Sequence, residues 1–316
     1  LTESVLANRT LATVVHTFGT DLHRRWGLRV HKVAIDAGFT CPNRDGARGK
    51  GGCTFCNNES FSPNEGIKDS VRVQLERGKA VIRRRTGATR FLAYFQAYSN
   101  TYDSLDRLRW LYDQALEDPD VLGLSIGTRP DCIAPGVLEL LASYQAQGKE
   151  IWLELGLQSA FDETLVRVNR GHTAQEYFEA AQAARSMGLK LCTHLILGLP
   201  GEGPQEWRET LRQVLESGTD GLKFHPLHVV KGSLLAAQWK RGEYAPLDLE
   251  TYVNVVADLL ETVPPEIAMH RLTGTASADV LLAPAWCEWK WKVLNAIETE
   301  LRRRGTRQGA ALGPVQ

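Results

Sequence analysis

The sequence predicts an α/β fold, a parallel sheet with helices outside it, followed by a C-terminal extension. Three observations carry this expectation. Six short β-rich runs recur between residues 30 and 224, segments of helical spacing separate them, and the rhythm breaks after Phe224. Strands alternating with helices pair side by side in parallel, because each crossover returns the chain to the same end of the sheet.

The six runs are Val30–Ile35, Phe91–Gln96, Val121–Ile126, Ile151–Leu157, Leu189–Leu197 and Gly221–Phe224. Between them Val71, Leu75, Gly78 and Ile82 fall on one helical stripe. So do Leu105, Leu108, Tyr112 and Ala115, and so do Trp207, Leu211, Val214 and Leu215. Thr173 and Glu176 have the spacing of a capping box, which predicts a helix running to Met187 with Gly188 just past its end. Six strands are too few for an eight-stranded barrel, and the pattern alone leaves a doubly wound sheet open. Beyond Phe224 we expect a helix over Leu247–Leu260, a break at Pro264 and Pro265, a strand-like Ile267–Leu272, and a Trp-rich helix from Pro284 to Arg304. The tail after Gly305 is expected to be mobile. Residues 1–27 read as a lead-in helix, 28–231 as the sheet-and-helix domain, and 232–316 as an extension packed on it.

Composition bounds the function. The 316 residues are 43% hydrophobic and 23% charged, enough for a large core, and the formal net charge is zero. That balance excludes binding to nucleic acid by bulk charge and leaves local basic faces open. Two such runs exist, Arg83–Arg85 and Arg302, Arg303, Arg304 and Arg307, for which a solvated helix face is the plainer reading. No apolar stretch is long enough to span a bilayer, and no charged-then-apolar leader opens the sequence. Of six cysteines three are clustered and three scattered, which fits a reducing cytoplasm and a metal or redox site.

The cluster is Cys41, Cys53 and Cys56, in a Gly-rich segment that reads as a loop after the first strand. Thiolates suit zinc or iron–sulfur clusters. A structural zinc site wants four protein ligands, and no fourth is evident, since His31 belongs at the opposite end of its strand. A four-iron cluster held by three cysteines keeps one iron open to chelate a small molecule. A redox dithiol at Cys53 and Cys56 is a third reading, without a thioredoxin-like order of elements around it. In parallel α/β folds ligands gather at the carboxyl ends of strands, where this loop lies.

The run Asp36-Ala37-Gly38-Phe39-Thr40-Cys41-Pro42-Asn43-Arg44, then Gly52-Cys53-Thr54-Phe55-Cys56, resembles the YhcC/YtqA-like subfamily of radical S-adenosylmethionine (SAM) enzymes, related to the elongator-catalytic-subunit branch. The resemblance continues through Tyr94–Thr101, Gly127–Cys132, Glu154–Ser159, Asn169–His172, His194–Glu202, His225–Gly232 and His270–Gly274. It implies a six-stranded partial barrel over residues 28–231, a [4Fe–4S] cluster on Cys41, Cys53 and Cys56, and SAM as the second cofactor. It also implies reductive cleavage of SAM to a 5′-deoxyadenosyl radical. The eleven residues between Cys41 and Cys53 exceed the superfamily's usual three, a gap the subfamily shares. Gln96-Ala97-Tyr98-Ser99 replaces the superfamily's glycine-rich motif.

The resemblance further implies roles for individual residues. Phe55 would stack on adenine or cover the cluster, and Gln96 would hold the SAM amino group. Gln158 would hold the ribose, with Gly156 allowing close approach. Glu154, alternating with them, would bind ribose or a cation or pair with an arginine. Arg170 would fork onto the SAM carboxylate. Ile196 would pack on adenine and Gly198 would leave the backbone room, while Glu202 orders its loop. His225 would face SAM or substrate. Cys132 reads as a hydrogen-atom donor or a packed thiol, and the Trp286, Trp289, Trp291 group as helix packing. The implied substrate is tRNA, at the side chain of a modified wobble uridine, with a flavodoxin or ferredoxin as electron donor. A small metabolite, a protein side chain, or a zinc-stabilised partner-binding protein are the other readings.

Overall fold

The structure is a computed structural model and describes residues 11–57 and 69–313. Residues 1–10 of the expected lead-in helix lie outside the described residues. Within that region α1, Phe18–Trp26, opens on Thr17, whose hydroxyl accepts from Thr20, and ends at Gly27 in the left-handed region.

The alternation follows in order. It runs β1 (Val30–Ile35), α2 (Pro42–Asp45), α3 (Val71–Thr86), β2 (Arg90–Phe95), α4 (Leu105–Leu116) and β3 (Val121–Thr128). After a 3-10 turn at Pro130–Cys132 come α5 (Val137–Ala146), β4 (Glu150–Gln158), α6 (Asp162–Arg167), α7 (Ala174–Ser186), β5 (Lys190–Leu197), α8 (Pro204–Ser217) and β6 (Gly221–Pro226). The C-terminal part adds β7 (Val229–Val230), α9 (Leu234–Lys240), α10 (Leu249–Thr262), β8 (Ala268–Arg271), β9 (Leu281–Ala283) and α11 (Lys290–Arg303). The expected capping box opens α7, with Thr173 accepting from Glu176 N and the Glu176 carboxylate accepting from Thr173 N.

One parallel sheet in the order β1-β2-β3-β4-β5-β6-β8 forms a half barrel, with a separate antiparallel pair β7-β9. The helices bury their apolar faces on its outside, where Leu75, Leu108, Tyr112, Tyr177, Leu211 and Val256 meet Ile35, Phe95, Ile126, Leu155 and Phe224 in one core.

Four expectations change. The sheet has seven strands, because β8, foreseen as a piece of the extension, pairs in parallel with β6. The segment after Cys41 is not all loop, since Pro42 pre-sets the first helical position of α2. Leu105 starts its helix 40% exposed and off the buried stripe. The described part of the tail, residues 306–313, is anchored: buried Gln308 accepts from His16 N and donates to the carbonyls of Pro264 and Ile267.

Candidate active site

Cys41 leaves the end of β1 and stands just before α2, whose first turn bonds back to its carbonyl through Arg44 N at 2.8 Å. The Cys53–Cys56 turn closes on itself, Cys56 N to Cys53 O at 3.0 Å. It is held from two sides: Thr54 N donates to Val168 O at the end of α6, and Leu235 N in α9 donates to Thr54 O. Asn169, with φ of +50°, donates its side-chain amide to Gly52 O at 2.8 Å. The long gap between the first two cysteines is therefore a tied-down loop.

One cavity at the carboxyl ends of the strands is lined by Cys41, Cys53 and Cys56 together with Phe55, Gln96, Gln158, Arg170, Ile196 and His225. Nine of the twelve residues singled out from the sequence thus meet in one place. The other three do not line it. Cys132 is buried beneath, its carbonyl taken by Thr101 and its thiol pushed up to about 12 by burial and Asp131, as a packed thiol would be. Gly198 faces the segment between α9 and α10: a Cβ there would lie 3.1 Å from Leu247, and its carbonyl accepts from Tyr244. Glu154 sits deeper in the barrel. Glu202 orders its loop by accepting from Ser159. Trp286 packs on Tyr252 with ring centroids 5.1 Å apart, whereas Trp289 is 49% exposed.

The cysteines fit a cluster better than a single zinc ion. Tetrahedral zinc–thiolate geometry requires sulfurs about 3.8 Å apart, from bonds of about 2.3 Å. Among the described residues the three sulfurs do not all come within 4.8 Å of one another. Their surroundings are cationic. Arg170 Nη1 lies 3.6 Å from Cys53 Sγ, and Arg44 donates to Cys56 O at 3.0 Å. Burial and the Cys53 thiol push Cys56 up to about 11, with Arg44 opposing them, and a bound metal would favour its thiolate.

Arg170 is clamped. Nη2 donates to Gly156 O at 2.6 Å, and Nε donates to His172 Nε2 at 2.8 Å. Burial and the neighbouring guanidinium hold His172 down at about 3, so it is a neutral acceptor whose other nitrogen faces Thr173 O. Gly156 is required here: a Cβ would meet Gln158 Nε2 at 2.7 Å and Arg170 Nη2 at 2.8 Å. Gln158 itself has φ of +79°, where the register between β4 and β5 slips, and this turn brings it into the cavity wall. Left-handed backbone at a non-glycine residue stores strain and is concentrated at functional sites.

Sequence reasoning missed several residues. Arg129 is 2% exposed, forks onto Asp131 at 2.9 and 2.8 Å, and donates to Arg170 O at 2.7 Å. Its signal was an arginine two positions before an aspartate at a strand end. Beneath the cavity Glu154 pairs with lysines instead of an arginine. Lys32, Lys223 and Ser125 donate to it, and His194 Nε2 lies 2.8 Å away. Burial would raise the Glu154 pKa, but Lys223 and Lys32 hold it well below the usual carboxylate range. Cys192 and His270 complete a carboxylate–thiol–imidazole group there. The side-chain nitrogens of Lys32 and Lys223 already occupy the carboxylate. Lys32 and Lys223, inward-facing on strands, could have been read from their period-two placement.

A half barrel with three cysteines at its mouth, flanked by arginines and facing strained backbone, defines a cluster-and-nucleotide enzyme site. The Radical SAM superfamily matches residues 41–214, and the Radical_SAM C-terminal domain matches 219–303. Protein YhcC of Escherichia coli (strain K12) is 47% identical over 303 residues, 96% of this chain and 97% of that one. The chain belongs to the Radical SAM superfamily. A tRNA uridine(34) acetyltransferase of Dehalococcoides mccartyi is 34% identical over 154 residues, 48% of this chain and 33% of its own. In fold it is similar to the archaeal Methanocaldococcus infernus Elp3 with an N-terminal deletion. The TM-score is 0.61 at 19% identity, over 88% of this chain and 64% of that one. The family's cofactors are a [4Fe–4S] cluster, which Cys41, Cys53 and Cys56 would hold, and SAM. When bound they supply one-electron cleavage of SAM and a 5′-deoxyadenosyl radical. Arg44, Arg129 and Arg170 in the cavity wall would lend positive charge to the cluster, and Phe55, Ile196 and Leu227 would wall off water. Among the described residues no helix is long and apolar enough to cross a membrane.

Proposed function

We propose that this protein tailors tRNA at the side chain of a modified wobble uridine. The observation that carries the reading is the likeness, over 48% of the chain, to a tRNA uridine(34) acetyltransferase. The cavity's chemistry supports it, because its described wall holds four arginines and three histidines and no carboxylate. A base extruded from a single-stranded loop enters such a mouth with its phosphates beside cations. In this reading Phe55 and Ile196 pack on adenine, Gln158 and Gln96 hold ribose and amino group, and Arg170 orients the carboxylate of SAM. A cytoplasmic flavodoxin or ferredoxin delivers the electron.

A second reading, a small metabolite or protein side chain as substrate, is favoured by one observation. Four of the seven arginines in the two runs are engaged in ion pairs: Arg83 with Asp120, Arg302 with Glu298, Arg303 with Glu300, and Arg304 with Asp258. Their charge is in part balanced within the chain. Nucleoside analysis of tRNA from a strain lacking the gene decides between them. A changed wobble nucleoside supports the tRNA reading, and an unchanged profile supports the second.

A further inference from the structure

Four arginines line the cavity, and three have work in it. Arg44 holds the Cys56 carbonyl, Arg129 forks onto Asp131, and Arg170 holds Gly156 beside Cys53. Arg271 ends β8 on the cavity wall, and among the described residues it makes no side-chain hydrogen bond or ion pair. Its neighbours are His194, His225 and His228, each of whose pKa it helps to lower after burial, which is the larger cause.

Nothing nearby balances this charge. The described wall has no carboxylate, and beneath it Lys32 and Lys223 share the single carboxylate of Glu154. An arginine keeps its charge at every working pH. A half-buried guanidinium without a counter-ion is costly unless a ligand supplies one. The His225 side chain also makes no hydrogen bond among the described residues and is held neutral by burial, leaving a ring N–H free to donate. Gly274 keeps the corner open: a Cβ there would lie 3.0 Å from His225 Nδ1 and 3.6 Å from the His228 ring.

We propose that Arg271, with His225 beside it, receives an anionic group carried by the substrate, a carboxylate on its reacting limb or a phosphate of its backbone. The proposal rests on the tRNA reading only for the source of the anion. A guanidinium takes two oxygens of either group in one fork.

Two measurements test it. In the first, the reconstituted, SAM-loaded holoenzyme is labelled with phenylglyoxal, and Arg271 is followed by peptide mass spectrometry. Acetate or inorganic phosphate should suppress most of the labelling, while neutral acetamide should not. Suppression by acetate alone identifies a carboxylate, and by phosphate alone a phosphate. Equal labelling in all three, or full suppression by SAM alone, overturns the proposal. In the second, SAM cleavage stimulated by bulk tRNA is compared in wild type, Arg271→Gln and Arg271→Lys. Loss of a charge-assisted pair should raise KM about tenfold in Arg271→Gln, more than it lowers kcat, with partial rescue in Arg271→Lys. An unchanged KM in Arg271→Gln overturns the anion site and leaves the tRNA reading in place. Absence of tRNA stimulation in wild type, with acetate still shielding Arg271, removes the tRNA reading and leaves the anion site in place.

Discussion

Arg170 lies 3.6 Å from the sulfur of Cys53, 117 positions earlier in the chain. The same side chain donates to the Gly156 carbonyl at the end of β4, so one residue ties the cysteine loop to the sheet. A guanidinium here lowers the cost of gathering thiolates.

The cysteines are not equivalent to the other thiols. Cys53→Ala in anaerobically reconstituted protein should abolish absorbance near ~400 nm and SAM cleavage, as expected of a lost cluster ligand. Cys132→Ser, buried beneath the cavity, should keep its iron. Equal iron loss in both variants would remove this assignment.

Gly156→Ala should weaken SAM binding. The added methyl group displaces both Gln158 and Arg170. Losing one charge-assisted hydrogen bond corresponds to about tenfold in affinity. Equilibrium dialysis with labelled SAM measures it, and wild-type affinity would show that neither side chain holds SAM.

Glu154→Gln should destabilise the fold by about 3–5 kcal/mol, because Lys32 and Lys223 would remain buried without their shared counter-charge. Chemical denaturation reads the loss. Glu154→Gln with Lys223→Met should recover part of it, and a single variant of wild-type stability would contradict the pairing.

His31 predicts an acid-side loss of stability. Burial, with Arg29, Lys290 and Arg85, lowers its pKa to about 4 from 6.5. Between those values the unfolded chain binds a proton that the folded one refuses. Stability therefore rises with pH through the window and is lost as pH falls from about 6.5 to about 4, by about 3 kcal/mol in total. His31→Gln should flatten that limb of a stability–pH curve, and an unflattened curve would exclude His31 as its source.

The six strands were legible because each is a hydrophobic run between turn residues, and every one forms within two residues of its expected ends. Elements of two or three residues were not: Val229–Val230 and Leu281–Ala283 are too short to show a period. The cysteines and Gln158 were readable from motif and alternation. The positive φ of Gln158 was not, since it accompanies the register slip of β4 against β5, nor was the tie between Arg170 and Cys53, which lie 117 positions apart. Glu154 was read correctly as inward-facing, but its partners come from β1 and β6, far away in sequence. Gly198 looked like room for a ligand and instead makes room for Leu247.

The seventh strand also bears on synthesis. β6 is made well before β8, so in the emerging chain β6 is a bare edge of the sheet until Arg271 has been added and has cleared the ribosome. Exposed edges are templates for aggregation. At about 5–20 residues per second the interval lasts seconds. A gene fragment stopped after residue 231 would make that transient edge permanent, so the half barrel should be soluble only when the ribosome completes it.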